Sequence, residues 1–168
     1  MSVHTGLLAL TLVAALGCGL VGGAFFAFST FVMRALGRIP AAQGIAAMQS
    51  INVAVITPSF MGALFGTGVM CLILAIASLP SWPASWALYV LAGSVLYLVG
   101  TVLVTIVFNV PRNNALAAVD QASADGARVW TEYLRSWTAW NHVRTAAALA
   151  AAACLIMALL LSPGEGPV

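Results

Sequence analysis

Trp137-Thr138-Ala139-Trp140-Asn141-His142-Val143-Arg144-Thr145 runs without a break into Ala146–Leu161, a stretch of Ala, Leu, Ile and Met with one Cys. A run of that length and composition belongs in lipid or in a deep core. An amide, an imidazole and a guanidinium on its opening turns are costly to place there, and ionisable groups inside a span default to a functional hypothesis. This stretch therefore assigns the chain to the membrane and marks one end of one span as the place to look for chemistry.

The whole chain agrees. Its 168 residues are 62% hydrophobic and 6% charged, with a mean hydropathy of +1.06. Soluble domains carry about 25% charge, so this composition cannot cover a water-facing surface. One transmembrane domain over residues 1–168 is expected. A net charge of +2, carried by arginines with no lysine, is too small to suggest nucleic acid. Cys18, Cys71 and Cys154 each sit in an apolar run and read as packing residues. The start lacks a basic region and its apolar run is too long for a cleaved leader, so no signal peptide is expected.

Apolar runs place spans at about residues 6–33, 59–79, 84–108 and 141–161, with interfacial helices at about 41–57 and 125–137. The fold class expected is all-α: a polytopic membrane four-helix bundle with an amphipathic helix before the fourth span. Residues 39–79 carry no charge. As one helix they would be about 60 Å long, twice the hydrocarbon core, so Pro58 is expected to divide them. Pro111 is expected to stop the third span. Gly17-Cys18-Gly19-Leu20-Val21-Gly22 matches a dinucleotide-loop pattern, but no strand precedes it. Small residues instead let membrane helices approach, a role expected of Gly19, Gly23, Gly62 and Gly66. Arg128 and Glu132 are expected to pair on the amphipathic helix.

Arginines lie only in the first-to-second and third-to-fourth connections and near the start of the fourth span. The positive-inside rule then puts both termini outside and both Arg-bearing connections in the cytoplasm, most naturally of a bacterial inner membrane. Four polar clusters fall at that same end: Ser29/Thr30, Gln49/Asn52, Asn109/Asn113/Asn114 and Asn141/His142/Arg144. A metal site is not expected, because His4 is the only other histidine and no acid lies within a span. What remains is one tunable base, one fixed cation, neutral amides and aromatic walls. That set suits a planar, oily, weakly acidic molecule: His142 could take a proton near neutral pH, and Arg144 and Asn141 could stabilise the resulting anion. A non-enzymatic bundle that binds a lipid or quinone-like ligand, or a partner membrane protein, would use the same features.

The segments Phe28–Leu36, Met48–Asn52 with Pro58, Asn109–Asn114 and Trp137–Thr145, in that order, resemble the DUF1772, or anthrone oxygenase-like, membrane family. The resemblance implies a membrane-embedded, cofactor-independent oxygenase, with monooxygenase-type oxidoreductase chemistry on an anthrone-like or other enolisable aromatic substrate. In that reading His142, Arg144 and Asn141 are catalytic. Asn52, Asn109, Asn113, Trp137, Trp140 and Gln49 bind substrate, and no cofactor or metal is needed. The partners are the bilayer and a small hydrophobic aromatic substrate, with a homo-oligomer left open.

Overall fold

The computed structural model describes residues 3–162, with side chains from Thr5 onward. The side chain of His4, expected at the end remote from the arginines, lies outside that range. Every regular element of the described chain is a helix, and four helices are long and apolar enough to cross a membrane. The protein is an integral membrane four-helix bundle.

Helix α1 covers Val3–Ala27 and continues through a π turn, Phe28–Val32, into Met33–Leu36. A short helix α2, Ala41–Ala54, follows Pro40, whose carbonyl receives the first N–H groups, from Gln43 (2.9 Å) and Gly44 (3.0 Å). Pro58 divides residues 39–79 as expected. It stands at the first turn of α3, Pro58–Ser81, and the Thr57 hydroxyl caps that helix by accepting from the Phe60 N–H. Helix α4 spans Ser85–Ala117, and α5 spans Ala124–Leu161 with Ser123 as its N-cap.

Two spans are longer than the apolar runs indicate. Helix α4 does not stop at Pro111. The π turn Thr105–Asn109 ends with only Val110 before that residue, and its wider pairing accommodates a residue that cannot donate to the ladder. Next to it, Arg112 Nη1 donates to the Phe108 carbonyl, at 2.7 Å. The amphipathic segment is likewise continuous with the fourth span: α5 has 38 residues, about 57 Å at 1.5 Å per residue. Its N-terminal turns therefore reach well past a 30 Å hydrocarbon core.

The four long helices form a ring in which α5 packs against α1 and α4, and α3 closes the other side against the same two. The central core gathers Cys18, Val21, Leu64, Cys71, Tyr97, Ala148 and Leu155. A second core at the arginine-bearing end joins α2 to α4 and α5 through Ile45, Met48, Leu116, Trp130, Tyr133 and Trp137.

The close approaches are not made by the glycines singled out from spacing. Gly19, Gly23, Gly62 and Gly66 have no neighbour that a side chain would meet. A Cβ at Gly100 would strike Ala147, one at Gly17 would strike Thr67, and one at Gly22 would lie 2.8 Å from Leu149. Buried alanines 147, 148, 151 and 152 supply the matching flat face on α5. The surface ion pairs also differ from expectation. Arg128 pairs with Asp125 and Arg135 with Glu132, each at i,i+3, because the short Asp125 side chain reaches Arg128 with two bonds. All four groups are well exposed, so these pairs add little stability.

Candidate functional site

On α5, positions 130, 133, 137, 141, 144 and 148 follow one another at intervals of three or four, and all six are buried. The aromatic stripe that seals the end of the bundle thus turns polar one helical turn into the span. Asn141, fully buried, ties α5 to α1. Its Nδ2 donates to the Phe25 carbonyl at 2.8 Å and to Ser29 Oγ at 2.6 Å. Thr145 completes the junction by donating to the Asn141 carbonyl (2.7 Å) and touching the Ser29 hydroxyl at 3.1 Å. Phe25 and Ser29 flank the start of the α1 π turn, where the widened ladder leaves the backbone open to side-chain partners.

Arg144 is the unusual member. It is 6% exposed, and among the described residues no carboxylate pairs with it. Its Nε donates to Asn141 Oδ1 at 2.8 Å and its Nη1 lies 3.4 Å from Thr105 Oγ1. The guanidinium carbon sits 3.8 Å from the centre of the Phe25 ring and 4.9 Å from that of Trp137. Two aromatic faces offset part of the desolvation of a buried cation, but its positive charge is left uncompensated.

The facing wall is a stripe on α4. Thr105, Asn109 and Asn113 stand four residues apart, and the first two belong to the π turn 105–109. Asn109, fully buried, donates Nδ2 to the Trp137 carbonyl at 3.2 Å, while its Oδ1 has no partner. Asn113 Oδ1 accepts from Tyr133 Oη (2.8 Å) and from Trp137 Nε1 (2.7 Å). Tyr133 and Trp137 stack at 5.7 Å and 20°, and Phe28 lies against Trp137 at 5.9 Å. From α2, Asn52 faces the Tyr133 hydroxyl, yet its Nδ2 is buried without a partner. The Thr138 hydroxyl is in the same condition. Buried polar atoms are rarely left unpaired, and here three gather at one end of the bundle that also holds an unpaired cation.

Of the residues singled out in the sequence, Asn52, Asn109, Asn113, Trp137, Asn141 and Arg144 are brought together. Three are not. His142 is exposed and makes no hydrogen bond to a described residue, since a helix turns it away from the stripe that carries Asn141 and Arg144. Trp140 lies flat on Phe108 at 3.6 Å and 8°, on the seam between α4 and α5. Gln49 ties α2 to the end of α4, donating to the carbonyls of Leu116 (2.9 Å) and Val119 (3.2 Å). Phe25, Thr105 and Tyr133 also belong to the cluster. Phe25 stands in the aromatic run at the end of the first span, which could line a pocket or form an interfacial belt. The four-residue spacing of Thr105, Asn109 and Asn113 was the signal for Thr105. Tyr133 carries none beyond its place on an apolar face.

The cluster therefore offers a fixed cation, an unpaired amide donor, an unpaired amide acceptor and aromatic faces. Among the described residues no three His, Cys, Asp or Glu side chains come together in a way that could hold a metal. Residues 56–154 match the family model described as anthrone oxygenase. The chain belongs to that family. The family match takes in α3, α4 and most of α5, and so includes Thr105, Asn109, Asn113, Tyr133, Trp137, Asn141 and Arg144. Phe25, Ser29 and Asn52, which complete the cluster from α1 and α2, lie outside the matched stretch. No curated protein and no solved structure matches the chain.

Proposed function

We propose that this protein oxidises an enolisable aromatic ketone of the anthrone class with O2 inside the membrane, using no cofactor, and that Arg144 holds the anion through which the reaction runs. The observation that carries this reading is the buried guanidinium between Phe25 and Trp137 with only neutral hydrogen-bond partners. A cation kept in an apolar bundle without a carboxylate favours any bound anion strongly, because charges interact more strongly where water is excluded.

The ring methylene loses a proton, and its electron pair is delocalised onto the carbonyl oxygen, which Arg144 stabilises. The carbanion carbon bonds to O2, and protonation gives a hydroperoxide. The second methylene hydrogen leaves as a proton while the O–O bond breaks. One oxygen stays as the new carbonyl and the other departs as water. The carbon gives up four electrons and O2 accepts four. Trp137 and Phe25 would hold the ring, with Asn109 Oδ1 and Asn52 Nδ2 reading its oxygen substituents. His142, on the exposed face, is not assigned the base role; the first proton is lost to water at the membrane surface, and the anion so formed is what Arg144 binds.

One observation favours a second reading, in which the bundle only binds an anionic or quinone-like ligand: no His, Asp or Glu reaches the cluster among the described residues. Oxygen-electrode measurements on the purified chain with anthrone separate the two. The enzyme reading requires one O2 consumed and one anthraquinone formed per anthrone, above the spontaneous rate. Binding of anthrone without added oxygen uptake would leave the second reading.

A further inference from the structure

A separate crevice lies between α4 and α5 at the arginine-bearing end. It is an open groove of about 630 Å³ whose walls include Arg112, Arg128, Val129, Glu132, Tyr133 and Ser136. Arg112 is fixed in it from two sides: Nε donates to Ser136 Oγ at 3.0 Å and Nη1 to the Phe108 carbonyl at 2.7 Å. No carboxylate neutralises it among the described residues. Glu132 and Arg128, the other charged groups of the groove, are already paired with Arg135 and Asp125. One helical turn deeper on each wall, Phe108 and Trp140 stack face to face at 3.6 Å. The contacts Arg112–Ser136 and Phe108–Trp140 are thus successive contacts along the α4–α5 seam, the first polar and inside the groove, the second flat and apolar just beyond it. Beyond them on α5, Val143 is 44% exposed.

We propose that this crevice binds an anionic phospholipid, with Arg112 on the phosphate and the Phe108–Trp140 pair against the glycerol backbone and first methylenes. A guanidinium presents a planar fork that suits phosphate oxygens, and two of its nitrogens are already held, so little freedom is lost on binding. A single cation is a weak trap for a free anion in water. The aromatic step below it selects a ligand that carries an apolar body on its head. Tryptophan at this depth is at home among lipid headgroups, and the groove has the volume of a small-ligand site.

The experiment is native mass spectrometry of the full chain released from nanodiscs of dioleoyl phosphatidylcholine with increasing dioleoyl phosphatidylglycerol. Glycerol phosphate is added in parallel as the bare head. The parent is expected to retain the anionic lipid about five- to tenfold in preference to the zwitterionic one. Arg112→Gln should lose that preference. Arg34→Gln, which removes an exposed arginine at the same end but outside the crevice, should keep it. Equal loss in both variants, or none in Arg112→Gln, would overturn the site. So would glycerol phosphate competing as well as the lipid, which would identify a free-phosphate site. Should Arg112→Gln fail to fold, Trp140→Leu decides: weaker retention of the anionic lipid with an unchanged response to glycerol phosphate supports the site, and parental retention of the lipid refutes it.

Discussion

Replacing Asn141 by Ala removes three hydrogen bonds that no neighbour can replace. The Phe25 carbonyl and the Ser29 hydroxyl lose their shared donor, and Arg144 Nε loses its acceptor. Hydrogen bonds between membrane helices contribute about 0.6–1 kcal/mol each. A bond to a charged group contributes about 1.5–3 kcal/mol. The structure therefore predicts a loss of about 3–5 kcal/mol for Asn141→Ala. Ser29→Ala alone should cost about 1 kcal/mol. In the Asn141→Ala background it should cost less, because the bond of 2.6 Å between the two residues is already gone. Unfolding of the full chain in mixed micelles, followed by tryptophan fluorescence, measures all corners of this cycle. A loss below about 1 kcal/mol for Asn141→Ala, or strictly additive effects, would refute the junction on which the placement of Arg144 depends.

Four further outcomes are expected. Gly100→Ala sets a methyl against Ala147 and should lower stability by about 1–3 kcal/mol through overpacking. Gly19→Ala meets nothing and should be neutral or stabilising by up to about 1 kcal/mol, as the same fluorescence titration will report. His142→Ala should change oxygen uptake with anthrone by less than about twofold, whereas removing a working general base costs about 10²–10⁴-fold; a loss of that size would return His142 to the site. Cysteines introduced at Ser81 and Asp120, at opposite ends of the bundle, should react with an impermeant maleimide from opposite sides of sealed vesicles, with Asp120 on the cytoplasmic side; labelling from the same side would contradict the topology.

Much of this architecture was legible in the residues. Length and hydropathy define four spans because nothing else can house runs such as Ala146–Leu161. The 3–4 spacing of Ala41, Ile45, Met48, Asn52 and Val55 marks one face of α2, on which Ile45 and Met48 are buried and the other three half-buried, and the aromatic stripe Trp130, Tyr133 and Trp137 is buried. What the linear order obscured is the partition of a dense motif by the helix. Asn141, His142 and Arg144 look like one group in sequence, yet each residue advances about 100°. Extending the aromatic stripe by three and four selects positions 141, 144 and 148 and leaves His142 outside. The passage of α4 through Pro111 depends on a π turn, which no simple period encodes. Spacing alone also cannot tell which glycines meet a neighbour: Gly100 is needed because Ala147 crosses it, whereas Gly19 faces no other helix of the chain.

The central claim is that Arg144 stabilises an anion derived from the substrate, and steady-state oxygen consumption with anthrone tests it most directly when the parent is compared with Arg144→Gln, both first shown to have the parental tryptophan emission. Arg144→Gln should lower kcat by about 10²–10³-fold, with recovery in part by Arg144→Lys, which restores the charge without the planar fork. Parental turnover in a folded Arg144→Gln variant would contradict it.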